Sequence, residues 1–248
     1  MTDLVQFRND GNEILILEFR DVPGHNALTA HSERQLFDAL SAVRRHAEVK
    51  VVILTGLPDV FCSGASRESL DALLSGERAH LDLLLPRAVL EIPVPTIAAM
   101  EGAAIGGGFA FGLCADMVLM AEESRYGMNF VDYGLTPGMG TTKVLEHVLT
   151  PAIAHELMYT GEFRRGCEFR GSSGVNAILP RKLVMARALD LARRIADKPR
   201  PTLETLKAVL SISRRRLYEE CRTLEALMFS VSAAKVDLSA VVATNFPG

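Results

Sequence analysis

Residues 94–124 read VPTIAAMEGAAIGGGFAFGLCADMVLMAEES. Two apolar runs, VPTIAAM and MVLMA, flank three consecutive glycines, Gly106, Gly107 and Gly108. Continuous apolar runs of this length are the pattern of strands covered on both faces in a parallel sheet. Glycine inside such a stretch is costly, because it loses more backbone entropy on folding than any other residue. The triplet therefore marks a place where something must come close to the main chain.

The same strand pattern recurs upstream. NEILILEFR and VKVVILTG read as strands, and LTAHSERQLFDALSAVRRHAE between them has helical period, with Leu36, Leu40 and Val43 on one face and Phe37 beside them. Ser32 and Gln35 are placed to form a capping box near its start. Strands alternating with helices predict an α/β fold with crossover connections. After Pro137 the pattern changes, and GTTKVLEHVLTPAIAHELMYTG, LPRKLVMARALDLARRIADKP and the stretch from residue 200 onward are all read as helical.

Composition sets limits on partners. The chain has 248 residues, enough for one large α/β domain, and a net charge of −3, which offers no basic field for nucleic acid or an anionic membrane. Arg214–Arg216 are followed by Glu219 and Glu220 and read as a solvated helix face. Cys62, Cys114, Cys167 and Cys221 are widely spaced, without a metal-site or disulfide pattern, and fit a reducing cytoplasm. The N-terminus lacks a basic-then-apolar signal pattern, and no apolar run reaches the ~18 residues of a membrane span.

Three chemical readings of GAAIGGGFAFG compete with simple close packing. A dinucleotide fingerprint would need a third glycine at Phe111 and an acidic ribose partner. A phosphate loop would need G-K-[ST] after the glycines. An oxyanion hole needs exposed N–H groups where a helix begins, and a second donor elsewhere. DVFCSGASRESL supplies that second donor: an apolar strand feeds Ser63-Gly64-Ala65, where Gly64 allows an unusual dihedral and turns the Ala65 N–H outward.

With both loops in view, the chain resembles the crotonase (enoyl-CoA hydratase/isomerase) superfamily. The matching pieces are VVILTGLPDVFCSGAS, the stretch 94–124, YGLTPGMGTT and YTGEFRRGCEFRGSSGVNAILPR. The resemblance implies a spiral of ββα units over residues 1–198 and a helical trimerisation region over residues 199–248, with trimers often paired into hexamers. It implies that the Ala65 and Gly107 N–H groups hold a thioester carbonyl, with Gly106 and Gly108 beside them.

The two glutamates with which a hydratase of this family activates water fall on Ala110 and Phe130, and neither side chain can transfer a proton. Hydration is not expected. The position of an isomerase base falls near Gly138. YGMNFVDYGLTPGMGTT and FRRGCEFRGSSGVNAILPR are most similar to the decarboxylating branch of polyketide β-branching enzymes, which acts on glutaconyl-type chains carried by an acyl carrier protein. That branch's Tyr, Lys and His fall here on Ser69, Leu73 and Leu227.

The polar groups left near the expected pocket are Ser66, Ser69, Asn129 and Tyr133, with Phe130 as an apolar wall; His80 and Asp132 are the titratable candidates for proton transfer. Arg67, Glu77 and Arg78 read as solvated surface, and Asp116 as a structural hydrogen-bonding residue. His25 lies in the loop that the resemblance places against the pantetheine or adenine arm. No metal or separate cofactor is implied, because the acyl group arrives as a phosphopantetheine or CoA thioester. Three functions stay open: decarboxylation with double-bond placement, enoyl-thioester isomerisation, and a catalytically silent paralogue that binds a carrier protein.

Overall fold

The computed structural model describes residues 3–11, 13–79, 83–171 and 173–246. The core is a six-stranded sheet in the order β1 (Val5–Asn9), β2 (Ile14–Phe19), β4 (Val51–Thr55), β7 (Thr96–Met100), β9 (Met117–Ala121) and β12 (Ala177–Leu179). β1 pairs antiparallel with β2, and the other neighbours run parallel. All residues of β4 and β7 are buried, as their unbroken apolar sequences require.

Alternation along each strand feeds two cores. Val52, Leu54, Ala98 and Met100 point into the larger one, together with α1 (Ala30–Ala42), α3 (Leu85–Leu90) and α4 (Gly107–Leu113). Val51, Ile53, Ile97 and Ala99 point the other way, onto α7 (Arg181–Ala196). That helix meets the sheet through Val184, Ala188, Ala192 and Ala196, a stripe at four-residue spacing whose small side chains let the backbones approach.

A second sheet follows from the same repeat. β5 (Val60–Cys62), β8 (Ala103–Ile105) and β10 (Arg125–Gly127) each come directly after a strand of the large sheet. They pair in parallel, and β11 (Phe163–Arg165) closes the edge antiparallel to β10. A two-stranded ladder joins β3 (Ala27–Leu28) to β6 (Gly64–Ala65), which leads into α2 (Arg67–Leu74). This is the ββα spiral of the crotonase fold.

The segment after Pro137 contains α5 (Thr141–Val148) and α6 (Pro151–Thr160), but also strands β11 and β12, so it is not wholly helical. These strands are only three residues long and earn their place by pairing, which helical periodicity could not reveal. The cap of α1 also differs from expectation: Thr29 is the N-cap, exchanging hydrogen bonds with Ser32, and Gln35 instead accepts from the Leu4 N–H at 2.7 Å.

Helices α8 (Arg200–Leu210) and α9 (Ile212–Ala233) are tied to the core through Asp116. Its carboxylate accepts from the Thr96 N–H and hydroxyl at 2.8 and 2.9 Å and pairs with both Lys207 and Arg214. Burial opposes its charge, but the two cations outweigh it and hold the carboxyl below its ordinary range. Arg214 is thus not part of a solvated face: its guanidinium also donates to the Ala115 carbonyl at 2.8 Å. Arg216 keeps the expected exposure and pairs with Glu220. Among the described residues all four cysteines are free, and no single helix is long and apolar enough to cross a membrane.

Candidate active site

The two loops singled out in the sequence meet at one point. Gly64 has φ +86°, and a Cβ there would lie 2.8 Å from the Ile105 carbonyl oxygen and 3.9 Å from the Gly107 nitrogen. Gly106 caps α4 with φ +52°, and a Cβ on Gly108 would stand 2.4 Å from the Cys62 carbonyl oxygen. The glycines at 64 and 106 thus answer to left-handed backbone and those at 64 and 108 to contact between the loops. Gly107 is the first residue of α4, so its N–H has no partner within the helix. A Cβ there would stand 2.7 Å from the Met139 sulfur.

Ala65 and Gly107 line two adjoining spaces. The outer one is a groove of about 1050 Å³ that also contains His25, Ser66, Gly106, Asn129, Phe130, Asp132 and Tyr133. The inner one is a cavity of about 60 Å³, walled by Leu28, Leu70, Leu73, Leu83, Phe130, Leu135, Met139 and Phe229. Ala65 and Gly107 stand at the junction of the two spaces. Donors fixed in such a place act in a low dielectric, where each is worth about 10²–10³ in rate.

The approach of the loops depends on Asn26, a residue the sequence did not bring forward. It is fully buried with φ +53°, and its amide donates to the carbonyls of Phe19 (2.8 Å), Val60 (3.2 Å) and Phe61 (3.0 Å). Its own carbonyl accepts from the Ser63 N–H at 3.3 Å. An Asn two residues after Pro-Gly, as in Pro23-Gly24-His25-Asn26, reads only as a turn residue. Its reach to β5, 34 residues away, is tertiary.

The inner cavity has few polar groups. The Ser69 hydroxyl donates to the Leu28 carbonyl at 2.8 Å. Ala110 is buried in the core and Gly138 lines the cavity, so neither position holds an acid. Phe130 lines both spaces, again without an acid. Burial pushes the nearby Cys62 thiol up to about 12, so it is no nucleophile at neutral pH.

Of the two titratable candidates, only Asp132 falls among the described residues. Asp132 is exposed on the outer groove and does not line the inner cavity. His80 lies outside the described residues. Tyr133 accepts a hydrogen bond from Asn129 at 3.0 Å; burial and the Asp132 charge both push its phenol upward. His25 is exposed on the groove in a left-handed conformation, with φ +50°.

Two charged residues do line the inner cavity: Glu33, on α1, and Arg78, beyond α2. Arg78 Nη1 donates to Glu33 Oε1 at 2.9 Å, and Nη2 pairs with Oε2. The side chains are only 19% and 13% exposed, so Arg78 is not solvated surface, whereas Glu77 is. Leu227 is also displaced from the expected site. It is 60% exposed, and the residue that α9 sends into the cavity is Phe229.

Asn245, at the end of the last helix α10 (Leu238–Asn245), and Phe246 after it also line the groove. Asn245 donates to the Asp132 carbonyl at 2.6 Å, Phe246 packs on Tyr133 with ring centres 5.4 Å apart, and Arg67 donates to the Val242 carbonyl at 3.4 Å.

Comparison with known proteins agrees with this fold. The enoyl-CoA hydratase/isomerase family model matches residues 9–242. The chain is 37% identical over 194 residues to the bacillaene synthase decarboxylase PksI of Bacillus subtilis, covering 78% of each protein. It is 28% identical over 216 residues to the crotonyl-CoA hydratase of Syntrophomonas wolfei, covering 86% of this chain and 83% of that protein. Among solved structures, the ECH2 decarboxylase domain of CurF from Lyngbya majuscula superposes with a TM-score of 0.91 at 34% identity, over 99% of this chain and all of that one. A structure from a dehydratase/decarboxylase enzyme couple involved in polyketide β-branching superposes with a TM-score of 0.93 at 32% identity, over the same shares.

Proposed function

The chain belongs to the enoyl-CoA hydratase/isomerase family, and on that footing we propose that it is a decarboxylase acting in polyketide β-branching. The observation that carries this reading is the combination of two facing N–H loops with a small cavity that has lost both acids of a hydratase. Such a site holds a thioester carbonyl and stabilises an enolate, but it does not activate water. The similarity to PksI and to the CurF domain supports the decarboxylating branch.

The substrate is a glutaconyl-type thioester with its carbonyl oxygen on the Ala65 and Gly107 N–H groups. The bond between the γ carbon and the carboxyl carbon breaks. Its electron pair passes through the α,β double bond to the carbonyl oxygen, CO₂ leaves, and the dienolate takes one proton at the α or γ carbon. The N–H pair acts where the charge arrives, which lowers the transition state more than the ground state.

An acyl carrier protein presents this chain. Among the described residues lining the groove, Arg67 is the one Lys or Arg, beside Glu68 and Asp132, which suits an uncharged pantetheine arm better than the phosphates of CoA. The exposed apolar residues Leu206, Val209, Leu210, Ile212, Leu224 and Val231 support assembly as a homotrimer or a hexamer.

The test is turnover of a 3-methylglutaconyl thioester on carrier protein in deuterated water. CO₂ with one solvent deuteron per product supports the proposal. Isomerisation is the second reading, favoured by Glu33 as a carboxylate in the inner cavity; deuterium exchange without CO₂ would select it. No turnover of either kind would leave a carrier-binding paralogue.

A further inference from the structure

Resting on that reading, we propose that Arg78 receives the carboxylate of the acyl chain, so that the cavity selects half-thioesters of dicarboxylic acids. Glu33 is the positioning residue that holds the guanidinium in place.

A carboxylate does not enter an apolar cavity without a cation or several donors. Among the described residues lining the inner cavity, Arg78 carries the sole positive charge. The other wall groups cannot replace it: Ser69 already donates to Leu28, and Leu73 and Phe229 are apolar. A guanidinium has five N–H donors and can serve more than one carboxylate, and its planar fork matches carboxylate geometry. Thr136 adds a second, independent sign. It lines the same cavity, and its hydroxyl oxygen is buried with no hydrogen-bond partner among the described residues. A buried hydroxyl without a partner is costly, and a bound carboxylate would supply an acceptor.

The pairing with Glu33 also suits the chemistry. A lone buried cation would hold the ground-state carboxylate tightly and oppose its departure as neutral CO₂. Sharing the guanidinium with Glu33 weakens that hold while keeping recognition. As the carboxylate is lost, the charge moves to the thioester oxygen at Ala65 and Gly107, at the mouth of the cavity.

The test uses two saturated pantetheine thioesters that cannot decarboxylate, glutaryl and valeryl, which differ in the terminal carboxylate. Their affinities are measured on the wild type, on Arg78→Gln, and on the double variant Glu33→Gln with Arg78→Gln. The double variant removes both charges together, so no buried carboxylate is left without its cation. The preference for glutaryl over valeryl should fall by about 10–100-fold in both variants, with valeryl affinity unchanged, and Arg78→Lys should restore part of it. If both probes weaken together, or the preference persists in the double variant, Arg78 only holds the loop to α1 and the inference fails. CO₂ release by the wild type is scored separately: its absence defeats the decarboxylase reading, while the affinity ratio alone decides the role of Arg78.

Discussion

Glu225, on α9, accepts a hydrogen bond from the Gly140 N–H at 2.7 Å. Its other oxygen accepts from the Thr142 N–H and hydroxyl, both at 2.9 Å, so the carboxylate caps the start of α5 from a distant helix. Gly138 and Met139, which line the inner cavity, immediately precede this clamp. Burial pushes the Glu225 carboxyl up, and the hydrogen bonds to Thr142, Cys221 and Gly140 work against that rise. Glu225→Gln should destabilise the protein by about 1–3 kcal/mol, because a Gln amide cannot accept on both sides and leaves a buried donor unpaired. Urea unfolding of the variant checks this; a stability equal to that of the wild type would contradict the clamp.

Gly107→Pro removes the N–H proposed to bind the thioester oxygen, at a helix position where proline is tolerated. Turnover should fall by at least about 10²-fold. Gly107→Ala is the control, because it keeps the donor but brings a Cβ towards the Met139 sulfur. A larger loss in Pro than in Ala assigns the effect to the donor. Equal losses would assign it to crowding.

Hydration of a crotonyl thioester should stay below ordinary enzyme turnover, whose median is about 10 s⁻¹. The reason is that neither Ala110 nor Phe130 can activate a water molecule. Product analysis for the 3-hydroxybutyryl thioester is the check, and formation at ordinary rates would mean that another group activates water.

Asp116→Asn should cost about 3–5 kcal/mol near neutral pH, since it leaves Lys207 and Arg214 buried without their counter-charge. The carboxyl is held below its free value of 3.8 in the folded protein. Its contribution is therefore fully present above that value and is lost as pH falls through the lower, folded value. The gap between wild type and variant should be constant from neutral pH to about pH 4 and narrow only in stronger acid. Denaturation midpoints across this range test the sign; a gap that narrows with rising pH would refute it.

The sequence by itself determined the parallel strands of the N-terminal half and the place of the two glycine-bearing loops. Apolar runs such as VVILT and TIAAM have few alternatives to a covered parallel strand, and Gly64 and Gly106 announce backbone that other residues resist. Those are local properties, written in consecutive residues. What lies inside the cavity was decided by tertiary structure. Glu33 and Arg78 are 45 residues apart, and nothing in either neighbourhood signals that α1 and the loop after α2 turn these side chains towards each other. Arg214 reads as solvated because Glu219 and Glu220 follow it, yet it faces Asp116, about a hundred residues earlier. Leu227 and Phe229 show how fine the distinction is. Two residues along a helix is a rotation of about 200°, which puts Leu227 on the outer face of α9 and Phe229 in the cavity. Periodicity encodes that an element has a buried side, but which charged or apolar group meets which partner depends on how separate elements pack, and that is fixed only when the whole core closes.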